Sequence, residues 1–300
     1  ALPACDDLAA FEREYAPSVS RIERLGNPGF ADMVRLMLAW ARALRGHGAG
    51  PLSLTSGDFD EARWLAHYGD ARFYACIHAT ARLHLAALVG TPAQALQEAR
   101  RAATYADALP GTVWPVQIEF WHAQALARAA EFVPAAERAA LMDTLLRARQ
   151  AFEARVPHNA ENHRPQALLL AAERARLQGD LEAALAHGLE AVEFAAAVPS
   201  MRRWEALAHE SLARTQARLH RPAMAALHAA RARDLFVAWG AEAKASALEA
   251  EWSLTPAPRA AASAPEAIAR AAPTAVEDSG TFDLASVPEK GCVTPNPSGA

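Results

Sequence analysis

The sequence predicts an all-α protein, an irregular tetratricopeptide-like solenoid of helical hairpins followed by a disordered tail, and three observations predict it. Apolar residues recur every three or four positions along most of the chain. A leucine–turn–helix-start segment occurs three times. Alanine makes up much of the 52% hydrophobic content, and it joins the best helix propensity to a small buried side chain. Closely packed helices are the natural use of such a composition.

Asp6 and Asp7 are candidate caps of a first helix whose face carries Leu8, Phe11, Tyr15, Val19, Ile22 and Leu25. Gly26-Asn27-Pro28 ends it. A second helix is predicted from near Phe30 through Met33, Met37, Trp40 and Leu44 to Gly46, where a loop opens through Pro51. Asp58 and Asp70 are expected to cap a short helix around Trp64 and a longer one through Phe73, Ile77 and Leu88.

The repeated turn reads Leu88-Val-Gly-Thr-Pro-Ala-Gln-Ala95-Leu96, then Leu177-Gln-Gly-Asp-Leu-Glu-Ala-Ala184-Leu185, then Leu219-His-Arg-Pro-Ala-Met-Ala-Ala226-Leu227. In each copy a leucine closes one helix, a tight turn follows, and a new helix leads to an Ala-Leu pair. Glycine suits a left-handed helix end, and threonine, aspartate or proline suits the next start. The second and third copies lie 42 residues apart, more than the 34 of a standard tetratricopeptide unit, so the repeat is irregular. A right-handed stack of roughly ten to twelve helices is expected over residues 1–252. Beyond Trp252 prolines recur and periodicity fades, so 253–300 reads as a linker or disordered tail with one short helix near Glu266 to Ala271.

Charge narrows the function. A net charge of -4 from thirty basic and thirty-four acidic residues, intermixed, offers no single-signed face to nucleic acid or an anionic membrane. No apolar run reaches the roughly 18 to 20 residues of a membrane span, and Asp6, Asp7, Glu12 and Glu14 stand where a basic leader would be, so a cytoplasmic location is expected. Cys5, Cys76 and Cys292 are too scattered for a disulfide framework.

Residues Gln166 to Trp252 carry Ala172-Glu173, Arg176-Leu177, Gly179, Glu182-Ala183, Glu205-Ala206-Leu207-Ala208, Glu210, Ala213, and Trp239-Gly240-Ala241 with Ala243-Lys244 and Leu248. This pattern resembles the helical repeat region of large multidomain bacterial signalling proteins. In those proteins a serine/threonine-kinase-like domain and an AAA-type ATPase domain precede the repeats, and a sensor with a histidine-kinase or diguanylate-cyclase output follows. Weaker similarity runs upstream through Phe59-Asp60-Glu61, the Gly90 turn and Phe120-Trp121-His122. The sequence departs from the pattern at His220, where the family has glycine, and at Thr215 and Gln216, where it has aromatics. Residues 281–287 resemble the lead-in to the sensor domain, and the likeness ends at Val287. A truncated longer reading frame is the expectation drawn from that break.

The resemblance implies a non-catalytic regulatory or scaffold segment acting through protein–protein or interdomain contacts, with no cofactor and no metal. Glu173, Arg176, Gly179, Glu210, Trp239, Gly240 and Lys244 are its signature residues, with structural roles expected. No GxxxxGK phosphate loop and no kinase HRD or DFG element occurs. His158 and His163 bracket Glu161, but five helical residues would put the two imidazoles on different faces. His209-Glu210 resembles the start of a metalloprotease helix, yet Ala213 stands where the second histidine would be. Trp114, Glu119, Trp121 and His122 are the candidate groove for a peptide or small ligand, with inter-helix packing as the alternative for such aromatics. Arg202-Arg203, Arg231 and Arg233 read as solvated faces beside acids. The alternative function is an inducer-binding helical domain of an ATPase-linked transcriptional activator, although the chain shows no helix-turn-helix with a basic recognition helix.

Overall fold

The computed structural model describes residues 5–256, and they are all-α. The tail, the short helix near Glu266, the sensor-like lead-in and Cys292 lie outside the described residues. Twelve α-helices occur among the described residues: α1 Leu8–Arg24, α2 Pro28–Leu44, α3 Glu61–Tyr68, α4 Arg72–Val89, α5 Pro92–Ala103, α6 Val113–Ala129, α7 Ala135–Arg155, α8 Ala160–Gln178, α9 Leu181–Ala196, α10 Arg202–Arg218, α11 Pro222–Trp239 and α12 Glu242–Trp252. No helix among them is long and apolar enough to cross a membrane.

Nine of these helices divide into two kinds. Helices α2, α4, α6, α8 and α10 are buried almost all round and contact one another in succession. Helices α1, α5, α9 and α11 bury a single stripe against them, such as Ala95, Ala99 and Ala102 or Ala225, Ala229 and Ala232. A helix that is apolar all round must be enclosed, whereas a striped one can face water. Small residues set the spacing: a Cβ added at Gly188 of α9 would lie 2.7 Å from Leu212 Cδ2 of α10.

An open solenoid would let each hairpin touch its neighbours alone. Here the last helix, α12, packs on α2 and α4. Trp239 Nε1 donates to the Cys5 carbonyl at 3.0 Å, and a Cβ on Gly240 would lie 3.4 Å from Leu8 Cβ. Arg202 Nη1 donates to the Ala238 carbonyl at 2.9 Å and to the Asp6 carbonyl at 3.4 Å. First and last hairpins therefore share an interface that hairpin periodicity does not announce.

Several local expectations change. Asp60, not Asp58, caps α3 by accepting from the Arg63 amide at 2.7 Å. Ala71 takes the cap position of α4 without a side-chain bond, which leaves Asp70 one residue too early. Asp7 and Asn27 cap α1 and α2, and Pro28 opens α2 two residues before Phe30. Of the three repeated turns, Gly179 has φ +84° and His220 has φ +56°, each within a paired set of bonds that closes the preceding helix. Gly90 is extended at φ -78°, and the following Thr91–Gln94 capping box organises that turn instead. Arg203 is only partly exposed: burial lowers its pKa to about 10, and its guanidinium lies 4.7 Å from the Trp204 ring centroid.

Candidate functional site

Four of the signature residues, 71 positions apart at their extremes, meet in one ionic network. On α8, Glu173 and Arg176 sit one turn apart, with Arg176 Nη2 2.6 Å from Glu173 Oε2. On α10, Ser211 Oγ donates to Glu173 Oε1 at 2.7 Å. One position earlier, Glu210 accepts from Lys244 Nζ of α12 at 2.6 Å and from Arg214 one turn further along α10. Arg176 also pairs with Glu131 after α6, and Arg214 reaches Glu251 of α12 at 4.0 Å. Arg128 of α6 lies close enough to act on Glu210 and Glu173 while it donates to the Gly90 carbonyl at 3.1 Å. Four carboxylates thus face four cations.

Burial makes this balance decisive. Glu173, Arg176, Glu210 and Lys244 are each 2–3% exposed. Burial alone would raise the Glu210 carboxyl, but Lys244 and Arg214 outweigh it and hold its pKa down at about 2. Glu173 is likewise lowered against burial by Arg176 and Arg214. Burial brings the Lys244 ammonium down to about 8, because Glu210 is shared with Arg214 and both Arg214 and Arg128 repel it. At neutral pH Glu173 and Glu210 are therefore charged and Lys244 is mostly so. Lysine occurs in this chain only at 244 and 290, against 28 arginines, so Lys244 is an exception to a strong compositional habit. Its compact ammonium reaches Glu210 beside the Phe236 ring, 5.8 Å from the centroid, without the planar fork that a guanidinium would have to fit.

The remaining signature residues shape the backbone around the network. Gly179 and Gly240 end α8 and α11 in left-handed conformations at φ +84° and +88°. Trp239 is buried against Phe236 and His84.

The four candidate groove residues do not form one groove. Trp114 and Trp121, two turns apart on α6, are both buried. Trp121 stacks on His84 with centroids 4.1 Å apart and donates to Gln117 at 3.2 Å. Glu119 turns instead to Arg155 of α7 at 2.7 Å, and His122 is half-buried with its pKa lowered by burial. Packing claims the two tryptophans. His158 lies in the turn before α8 and His163 bonds Gln166; among the described residues no three histidine, cysteine or acidic groups converge as a metal cluster.

An open concavity lies elsewhere. A cleft of about 710 Å³ is walled by Glu23 of α1, Asp32 and Arg35 of α2, Asp58 to Asp60, and Arg63, Trp64 and Tyr68 of α3. Arg35 spans it, 2.5 Å from Glu23, 2.8 Å from Asp32 and 3.4 Å from Asp58. Tyr68 donates to Asp32 at 2.7 Å, and burial together with that carboxylate raises its pKa to about 12. Sequence reasoning missed this site, although Phe59-Asp60-Glu61 adjoins it. Phe59 packs against Trp64, Asp60 caps α3, and Glu61 reaches inward to His78 at 2.8 Å.

No family model, no curated protein and no solved structure matches the chain.

Proposed function

We propose that the chain is a non-catalytic regulatory segment of a bacterial signal-transduction protein of the kinase-like, ATPase and sensor type, working through interdomain or protein–protein contacts in the cytoplasm. One observation carries this reading: Glu173, Arg176, Glu210 and Lys244, selected by resemblance to such proteins, converge on a single buried network. The network fixes α8, α10 and α12 against one another, because shifting any of them uncovers a buried charge at a cost of several kcal/mol. A helical body held in this way moves as a unit, which suits a spacer that passes displacement from one neighbour to another.

The cleft favours the second reading, an inducer-binding domain of an ATPase-linked activator, since about 710 Å³ falls within the roughly 300–1,000 Å³ of small-ligand sites. A photocrosslinking residue placed at Ala66, which is exposed on the cleft wall, separates the two in the producing cell. Under the regulatory reading it forms a discrete heavier species containing peptides of a kinase-like, ATPase or sensor segment. A small adduct on the chain supports the inducer reading, and absence of any discrete product counts against both.

A further inference from the structure

Outside the network and the cleft, one pair of side chains stands at a nitrogen–nitrogen distance that a chelate would also give. His209 on α10 and His228 on α11 bring their Nδ1 atoms to 2.9 Å, with ring centroids 5.2 Å apart. Two nitrogens bound to one metal ion at about 2.0–2.1 Å and at right angles to each other lie about 2.9 Å apart, whereas a tetrahedral ion spreads them to about 3.3 Å. From this coincidence we infer that His209 and His228 form a two-histidine site for a divalent transition-metal ion that prefers right-angled coordination, copper(II) above nickel(II), clipping α10 to α11.

The surroundings fit that use. A metal on Nδ1 needs each neutral imidazole to keep its one proton on Nε2, and His209 Nε2 lies 3.9 Å from Glu205 Oε1, one helical turn back. Glu205 stands behind that nitrogen, where carboxylates stand behind metal-bound histidines. Arg231, the nearby cation, pairs with the same Glu205 oxygen at 3.0 Å, although its charge still acts on His209. Burial lowers both imidazoles below their usual range, His209 to about 4, so both lone pairs are available at neutral pH. Two protein ligands leave the other positions to water, which sets the affinity of a helix-surface chelate rather than of an enclosed cage. The alternative for the pair is a plain hydrogen bond that shares one Nδ1 proton.

Copper(II) titrated into the metal-free chain in a non-coordinating buffer near pH 7.5 tests the inference. One ion per chain should bind, give an electron paramagnetic resonance spectrum with two imidazole nitrogens, and raise the melting temperature by about 3 °C. His228→Asn and His209→Phe should each weaken binding at least tenfold, and His67→Ala, at an exposed position on α3, should leave it unchanged. Should His209→Phe fail to fold, as judged by circular dichroism, the half-exposed His228→Asn decides alone. Unchanged binding in His228→Asn, a spectrum with one nitrogen, or no bound ion overturns the site.

Discussion

Around α8, α10 and α12 Glu173, Arg176, Glu210 and Lys244 are sealed inside, each 2–3% exposed, whereas around α1 to α3 Arg35, Glu23 and Asp58 wall an open cleft with Asp58 63% exposed. Residue types and distances are similar in the two regions. What differs is the solvent. In the interior a lost partner leaves a charge without water, so the arrangement is rigid and fragile to substitution. At the cleft, water replaces a lost partner cheaply, so the side chains can rearrange around a visitor.

The sharpest break in this comparison is Glu210→Ala. It strips the carboxylate from Lys244 and Arg214 together, and a loss of about 3–5 kcal/mol is expected in denaturant unfolding. The double substitution Glu210→Leu with Lys244→Met should recover a large part of that loss, because what costs most is the stranded charge. A loss below about 1 kcal/mol for Glu210→Ala would mean that water reaches the network.

The next effect is a pH dependence centred on His84. Its ring is enclosed by Trp40, Trp121 and Trp239, neither nitrogen has a hydrogen-bond partner, and burial holds its pKa well below 6.5. His122, His209 and His228 are lowered by burial as well. A lowered imidazole means that the unfolded chain binds more protons below pH 6.5, so stability is full above that pH and is lost as pH falls through the window beneath it. Glu210 and Glu173, lowered from 4.5, begin to cost stability only below about pH 4.5. Melting temperature should therefore be level only near pH 7, since the lowered Lys244 adds its own pH dependence from about pH 8 upward, and should fall between about pH 6.5 and 4.5. His84→Phe should flatten part of that slope and leave the steeper loss below pH 4.5 in place; an unchanged slope would show that His84 is hydrated.

How much of this was legible beforehand follows from the range of each interaction. Helix α1 and its cap Asp7, the Gly26-Asn27-Pro28 break and the left-handed ends at Gly179 and Gly240 are set within a few residues, and local spacing reveals them. Asp58 misled because Asp60 competes for the start of α3, and Asp70 because Ala71, with no capping side chain, takes the cap position of α4; backbone angles rather than residue type choose the cap. Glu210 bonds Lys244, which lies 34 residues away, and no helical period links the two. The cleft depends on α1, α2 and α3 assembling, and the closure of α12 on α2 and α4 on the whole chain. Pattern gave the parts of the tryptophan helix correctly as apolar, yet could not say that Trp121 faces His84 rather than a ligand.

A smaller effect sharpens the comparison at the level of the backbone. His220 holds φ +56° at a turn where Gly179 and Gly240 use glycine. A side chain in the left-handed region costs roughly 1 kcal/mol relative to glycine, so His220→Gly should stabilise the chain by about that amount, visible as a raised denaturation midpoint. The converse change, Gly179→Ala, should destabilise by a similar amount although open space surrounds its Cβ position, since the strain lies in φ alone.

The smallest effect belongs to Asp58. It stands 3.4 Å from both Arg35 and Arg42, at the outer limit of useful contact, and water has free access to its carboxylate. Neither arginine depends on it: Arg35 keeps Glu23 and Asp32, and Arg42 keeps Glu12 at 2.6 Å. Asp58→Ala should accordingly shift stability by less than about 0.5 kcal/mol. The cleft then loses one of its acids while its frame stands, so any change in crosslinking from Ala66 reports on recognition rather than folding. If the same substitution costs 2 kcal/mol or more, the charges at the cleft are bracing α2 against the loop before α3, and the distinction between a sealed frame and an open docking wall fails at its exposed end.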